Sequence, residues 1–176
     1  MRRIYLIGYM GSGKTTLGKA FARSMDLQFI DLDWYIEERM HKTVRELFAE
    51  RGESGFREVE RNMLHEVGEF ENVVVAAGGG TPCFFDNMAY MNRTGDTVFL
   101  NASVEALFRR LKVAKAKRPL LADKTDEELM ETIRSGLANR MAFYSQAKHS
   151  FPSDRLESRN QISESVEQLK ELLSIS

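Results

Sequence analysis

Gly8-Tyr9-Met10-Gly11-Ser12-Gly13-Lys14-Thr15 spells G-x-x-x-x-G-K-[ST] close to the start of the chain. Glycines at this spacing let the backbone curl until successive N–H groups point inward, which makes a cradle for phosphate oxygens. A helix starting near Lys14 adds partial positive charge. Lys14 then reaches the β- and γ-phosphates of a bound nucleotide, and the Thr15 hydroxyl binds Mg²⁺. Gly11, Ser12, Gly13, Lys14, Thr15 and Thr16 are therefore the candidate ATP contacts. The loop by itself does not choose between water, a nucleotide, a sugar and a metabolite as acceptor.

Other residues bear on that choice. Asp31-Leu32-Asp33 follows a short apolar run. If the strand extends that far, period-2 alternation points both carboxylates one way, into the ligand crevice at the strand's C-terminal end. Asp31 could then hold Mg²⁺ through water, and Asp33 could take the proton of an acceptor hydroxyl. Asp33 is equally suited to cap the next helix. In Phe56-Arg57-Glu58-Val59-Glu60, Glu60 lies one helical turn from Arg57 and can fix its guanidinium, unless the two form only a surface pair. Gly78-Gly79-Gly80 ends another apolar run. It is either a flexible turn or a place where a ligand touches bare backbone. Arg118-Pro119-Leu120-Leu121 lies in the basic stretch 112–124, which reads as a solvated loop or as a lid over phosphates. Asn139-Arg140 adds one more cation.

The elements that must position these groups alternate in type. Strands are predicted over Arg3–Ile7, Gln28–Ile30, Val73–Ala77, Thr97–Asn101 and His149–Phe151. Helices are predicted over Lys14–Met25, Trp34–His41, Val44–Glu50, Arg57–Glu66, Asp86–Asn92, Val104–Leu111, Glu127–Ala147 and Glu164–Leu173. Thr43 with Glu46, and Thr125 with Glu128, have capping-box spacing. Short apolar strands alternating with amphipathic helices indicate an α/β chain with a parallel sheet covered on both faces. The 176 residues fit one domain.

Composition excludes several classes. Formal net charge is -1, so no global basic field argues for nucleic acid. Cys83 is the only cysteine, which rules out an intramolecular disulfide and suggests a reducing, cytoplasmic setting. No apolar run reaches the roughly 18 residues of a membrane helix. His41, His65 and His149 lack a metal-ligand spacing. No apolar stripe argues against a monomer.

Taken in order, GxxGSGKTT, DLD, FRxxE, GGG, RPLL and Arg140 resemble the shikimate kinases along nearly the whole chain. The resemblance implies a fold similar to nucleoside monophosphate kinases, with a five-stranded parallel sheet in order 2-3-1-4-5 and a mobile lid. It implies transfer of the γ-phosphoryl group of ATP to the 3-hydroxyl of shikimate, the fifth step toward chorismate. By position it assigns Asp33, Arg57, Gly78, Gly79, Gly80 and Arg140 to shikimate. Asp33 matches the proposed base, Arg118 the lid arginine, and Lys14 and Thr15 the phosphate lysine and magnesium ligand. The chain departs from the pattern on the nucleotide-base side. Many relatives carry an arginine seven residues before RPLL, where this chain has Leu111 with Arg110 beside it. The segment Ser158-Arg159-Asn160-Gln161 lacks the usual proline. Arg110 and Arg159 are the candidates there. The rival readings are a related small-molecule kinase, such as one for gluconate or nucleoside monophosphates, and a nucleotide-dependent binding module.

Overall fold

The three central strands are short and apolar because both of their faces are covered. The computed structural model describes residues 1–115 and 121–175. Five strands, β1 (Arg3–Ile7), β2 (Gln28–Asp31), β3 (Val73–Ala76), β4 (Asp96–Asn101) and β5 (His149–Pro152), form one sheet in the order β2-β3-β1-β4-β5. All neighbours are parallel, with Tyr5 of β1 level with Val75 of β3 and Thr97 of β4. The helices are α1 (Lys14–Ser24), α2 (Leu32–Met40), α3 (Val44–Val67), α4 (Asn87–Thr94), α5 (Val104–Ala114), α6 (Asp126–Tyr144) and α7 (Arg159–Leu172).

Side-chain alternation along β1 sorts the core. Ile4 and Leu6 join Leu17 and Phe21 of α1 and Val166 and Leu169 of α7 on one face. Tyr5 and Ile7 join Ile36, Leu47, Phe56, Met91 and Tyr144 on the other. The result is the α/β/α layering that the apolar runs require. A third cluster, Tyr9 with Leu107, Leu111, Leu129 and Ile133, ties α5 and α6 to the loop after β1.

The structure corrects four sequence expectations. β2 ends at Asp31 and α2 starts at Leu32, so strand alternation does not relate Asp31 to Asp33. Asp31, not Asp33, is the cap: its Oδ1 accepts from the Trp34 N–H at 3.1 Å. Asp is a strong N-cap residue, and the first one available takes the role. The helices predicted over Val44–Glu50 and Arg57–Glu66 do part, at Gly52, whose φ 69° and ψ -179° are non-helical, but the second begins ahead of Arg57, so Arg57 is interior to it. Finally, α7 begins at Arg159 rather than Glu164, because Ser158 caps it, its Oγ accepting from Gln161 N at 3.2 Å. Both capping boxes form: Thr43 Oγ1 accepts from Glu46 N at 3.0 Å, and Thr125 Oγ1 from Glu128 N at 3.2 Å.

Candidate active site

The phosphate loop connects the C-terminal end of β1 to the N-terminus of α1. Gly13 has φ 103°, and a Cβ there would stand 2.3 Å from Leu156 Cδ1, so only glycine fits. Gly13 is also the N-cap of α1 and offers no side chain to the first-turn N–H groups. Those donors face the cleft and are available to an anion. The Ser12 hydroxyl is buried beneath them with no hydrogen-bond partner. Lys14 Nζ donates to the carbonyls of Gly8 at 2.6 Å and Tyr9 at 3.0 Å, which holds the ammonium across the mouth of the loop. Together these features fit a polyphosphate.

A cleft of about 460 Å³ opens over the loop. Gly11, Gly13, Lys14, Thr15, Thr16, Asp31, Asp33, Gly78, Gly79 and Arg110 all line it. Arg110 is held by four bonds. Nη1 donates to Gly11 O at 3.1 Å, Nη2 to Ser153 O at 2.8 Å and Asp154 O at 3.0 Å, and Nε to Glu157 at 3.0 Å. It thereby fastens the phosphate loop to the β5–α7 connection. Arg159 lies elsewhere, in a groove between α1 and α7 that meets the cleft at Thr16. Arg118 lies outside the described residues, as does most of the lid's centre, and Lys112 to Ala114 are the last residues of α5.

Thr15 and Asp31 stand together at the β2 side of the cleft. They are hard oxygen donors of the kind Mg²⁺ takes. Among the described residues no group of three or more His, Cys, Asp or Glu could hold a metal. That sparse set fits Mg²⁺, which keeps waters and substrate phosphates as most of its ligands.

Asp33, in the first turn of α2, is exposed toward the cleft, but its carboxyl is set among protein atoms. Burial of that carboxyl, then the negative charges of Asp31 and Glu60, push its pKa up to about 6, against the pull of Lys14. It is thus ionised at neutral pH yet close to the range suited to a proton acceptor.

The glycine run after β3 is bare because charged side chains press against it. A Cβ on Gly78 would lie 3.3 Å from Asp33 Oδ1, one on Gly79 2.9 Å from Arg140 Nη1, and one on Gly80 2.7 Å from Arg57 Nη2. The turn therefore collects Asp33 of α2, Arg57 of α3 and Arg140 of α6 beside the phosphate loop. Arg57 Nη1 donates to Glu60 Oε1 at 3.0 Å, and Glu60 Oε2 accepts from Thr81 Oγ1 at 2.9 Å. Tyr144 Oη donates to Gly79 O at 2.6 Å. Sequence reasoning missed Tyr144, Thr81, Tyr9 and Phe84. Tyr144 left a signal in its one-turn spacing from Arg140 on the same helix, and Tyr9 in its place inside the phosphate-loop motif.

A parallel sheet with a phosphate loop after β1, carboxylates after β2 and a basic glycine turn after β3 defines a P-loop kinase. The family profile described as shikimate kinase matches residues 10–170. The shikimate kinase of Phocaeicola vulgatus is 67% identical over 174 residues, covering 99% of each chain. That of Bacteroides thetaiotaomicron is 65% identical over 175 residues, covering 99% of this chain and all of its own. A crystal structure of shikimate kinase from the latter organism superposes with a TM-score of 0.94 at 62% identity, covering 99% of each chain. Shikimate kinase from Acinetobacter baumannii in complex with shikimate gives 0.84 at 30%, covering 99% of this chain and 94% of its own. The chain belongs to the shikimate kinase family, whose members are phosphotransferases with an alcohol acceptor and use ATP.

Proposed function

We propose that the chain transfers the γ-phosphoryl group of ATP to the 3-hydroxyl of shikimate, giving shikimate 3-phosphate and ADP. The observation that carries this reading is the convergence of two arginines and one carboxylate on the glycine turn beside the phosphate loop. Shikimate has one carboxylate, which Arg57 and Arg140 suit as forked donors. It also has hydroxyls, one of which Asp33 suits as acceptor.

The loop N–H groups, the N-terminus of α1 and Lys14 hold the triphosphate. Thr15 and Asp31 would hold a Mg²⁺, which would supply neutralisation of phosphate charge. Asp33 orients the 3-hydroxyl and takes its proton as the oxygen–phosphorus bond forms and the bond between the γ-phosphorus and the β–γ bridging oxygen breaks. Transfer is direct, and no side chain is phosphorylated. Arg118 neutralises charge on the transferring group, and Arg110 steadies the loop on the base side of the nucleotide. Most of the rate comes from positioning and charge neutralisation, as is general for phosphoryl transfer.

The test is ADP release from MgATP with and without shikimate. Release that depends on shikimate and is lost in Lys14→Ala supports the proposal. Equal release with acceptors that lack a carboxylate would overturn the acceptor and leave a different small-molecule kinase. Release independent of any acceptor would leave only a nucleotide-binding module.

A further inference from the structure

We propose that Tyr9 and Phe84 are positioning residues for acceptor recognition, each fixing the plane of one of the two arginines at the glycine turn. The proposal rests on the reading that Arg57 and Arg140 face the acceptor carboxylate.

Arg57 Cζ lies 4.2 Å from the centroid of the Phe84 ring. Gly80 forms a second wall, since its missing Cβ would fall 2.7 and 2.9 Å from the two Nη atoms. Polar contacts do not by themselves set this plane. Nη1 is held by Glu60 at 3.0 Å, Nη2 is 3.7 Å from the exposed Glu53, and Nε is buried with no hydrogen-bond partner. Phe56 and Phe48 stand farther off, at 5.4 and 5.8 Å, so the Phe84 ring is the nearest aromatic constraint on the plane, because a guanidinium is attracted to an aromatic face and stacks on it.

Arg140 repeats the arrangement. Its Cζ is 5.3 Å from the centroid of Tyr9, and the missing Cβ of Gly79 would fall 2.9 Å from its Nη1. Tyr9 is itself immobilised. It is buried, and a Cβ on Gly136 would stand 2.6 Å from its ring and hydroxyl, so the ring packs directly on α6 one turn before Arg140. Thus a side chain of the phosphate loop backs an arginine of the acceptor site. Both forks are oriented before the acceptor arrives, and a carboxylate that needs paired N–H donors gains most from that.

Steady-state kinetics on the full chain test this. Tyr9→Leu and Phe84→Leu should each raise the shikimate KM by about three- to thirty-fold, the range of a lost cation–π contact. The ATP KM should stay within about twofold, since the phosphate donors are backbone N–H groups and Lys14, none of which either substitution removes. Tyr9→Phe and Phe84→Tyr keep a ring and should recover the shikimate KM. Tyr9→Leu with Arg140→Lys, and Phe84→Leu with Arg57→Lys, should be non-additive. If the two lysine variants leave the shikimate KM unchanged, the carboxylate reading falls and this proposal falls with it. If they raise it and neither leucine variant does, only this proposal is overturned. A leucine variant that raises the ATP KM as much as the shikimate KM would mean that the ring merely shapes its loop, and would also overturn it. Phe84 is only partly buried, so Phe84→Leu keeps the test open should Tyr9→Leu fail to fold.

Discussion

Glu60 Oε1 accepts a 3.0 Å hydrogen bond from Arg57 Nη1 in a pair almost sealed from water, with side chains 1% and 12% exposed. The second oxygen of Glu60 is taken by Thr81. Glu60→Ala would leave a nearly buried guanidinium with only the exposed Glu53, 3.7 Å away, as counter-charge, and losing one partner of a buried pair typically costs about 3–5 kcal/mol. Glu60→Gln keeps an acceptor oxygen in place and should lose less. Equilibrium urea unfolding of the two variants measures this. A loss below about 1 kcal/mol in Glu60→Ala would mean that water replaces the carboxylate.

Tyr144 is fully buried, and its hydroxyl holds Gly79 O at 2.6 Å. Tyr144→Phe leaves that carbonyl without a protein donor and should cost about 1–3 kcal/mol. Burial raises the phenol to about 12, with nearby Arg140 pulling the other way. The sign follows from linkage. The unfolded phenol ionises near 10 and the folded one near 12, so the native state binds the extra proton between those values. The stability is fully present below pH 10 and is lost as pH rises through 12. The gap between wild type and Tyr144→Phe should therefore narrow from pH 9 to pH 11. A constant gap would show that Tyr144 ionises equally in both states.

Two glycine-to-alanine changes should fail in different ways. At Gly80, φ is -93°, which alanine adopts freely, so only the collision with Arg57 counts. Gly80→Ala should raise the shikimate KM about tenfold or more with little change in stability. At Gly13, φ is 103° and Leu156 stands in the way. Gly13→Ala should weaken ATP binding, and adding Leu156→Ala should restore only part of it, because the backbone strain of at least about 1 kcal/mol remains. Nucleotide titration calorimetry on the single and double variants checks this. Full restoration would show that the clash alone matters.

Local signals carried much of the sequence reading. The five strands, both capping boxes and the phosphate loop depend on neighbours in the chain, and all appear close to where they were predicted. The β2–α2 boundary was misplaced because Asp31 and Asp33 are equally good caps until the sheet fixes where the strand ends. The break predicted between Val44–Glu50 and Arg57–Glu66 falls at Gly52, whose left-handed φ suits glycine, and only the start of the second helix was misplaced. The fastening of Arg110 to Gly11 and the β5–α7 connection, and the packing of Tyr9 on Gly136, join residues far apart in sequence, where no spacing rule reaches. Arg159 was named for the base side from the family resemblance, and it lines the α1–α7 groove that meets the cleft at Thr16.

Asp33 offers the sharpest separation of chemistry from structure. It lies outside the phosphate loop, whose donors are backbone N–H groups and Lys14, and reaches that loop only through the attraction between its charge and Lys14. Asp33→Asn keeps the shape but cannot accept a proton, so turnover should fall by about 10²–10⁴, the usual worth of a positioned base. ATP binding should be unchanged. The carboxylate is crowded by Asp31 and Glu60, so removing its charge should leave stability at neutral pH equal or higher. Single-turnover assays, nucleotide titration and urea unfolding on the same preparation measure the three. Lost turnover together with lost stability would assign Asp33 to the scaffold. Retained turnover would move the proton to water and leave Asp33 as an orienting group alone.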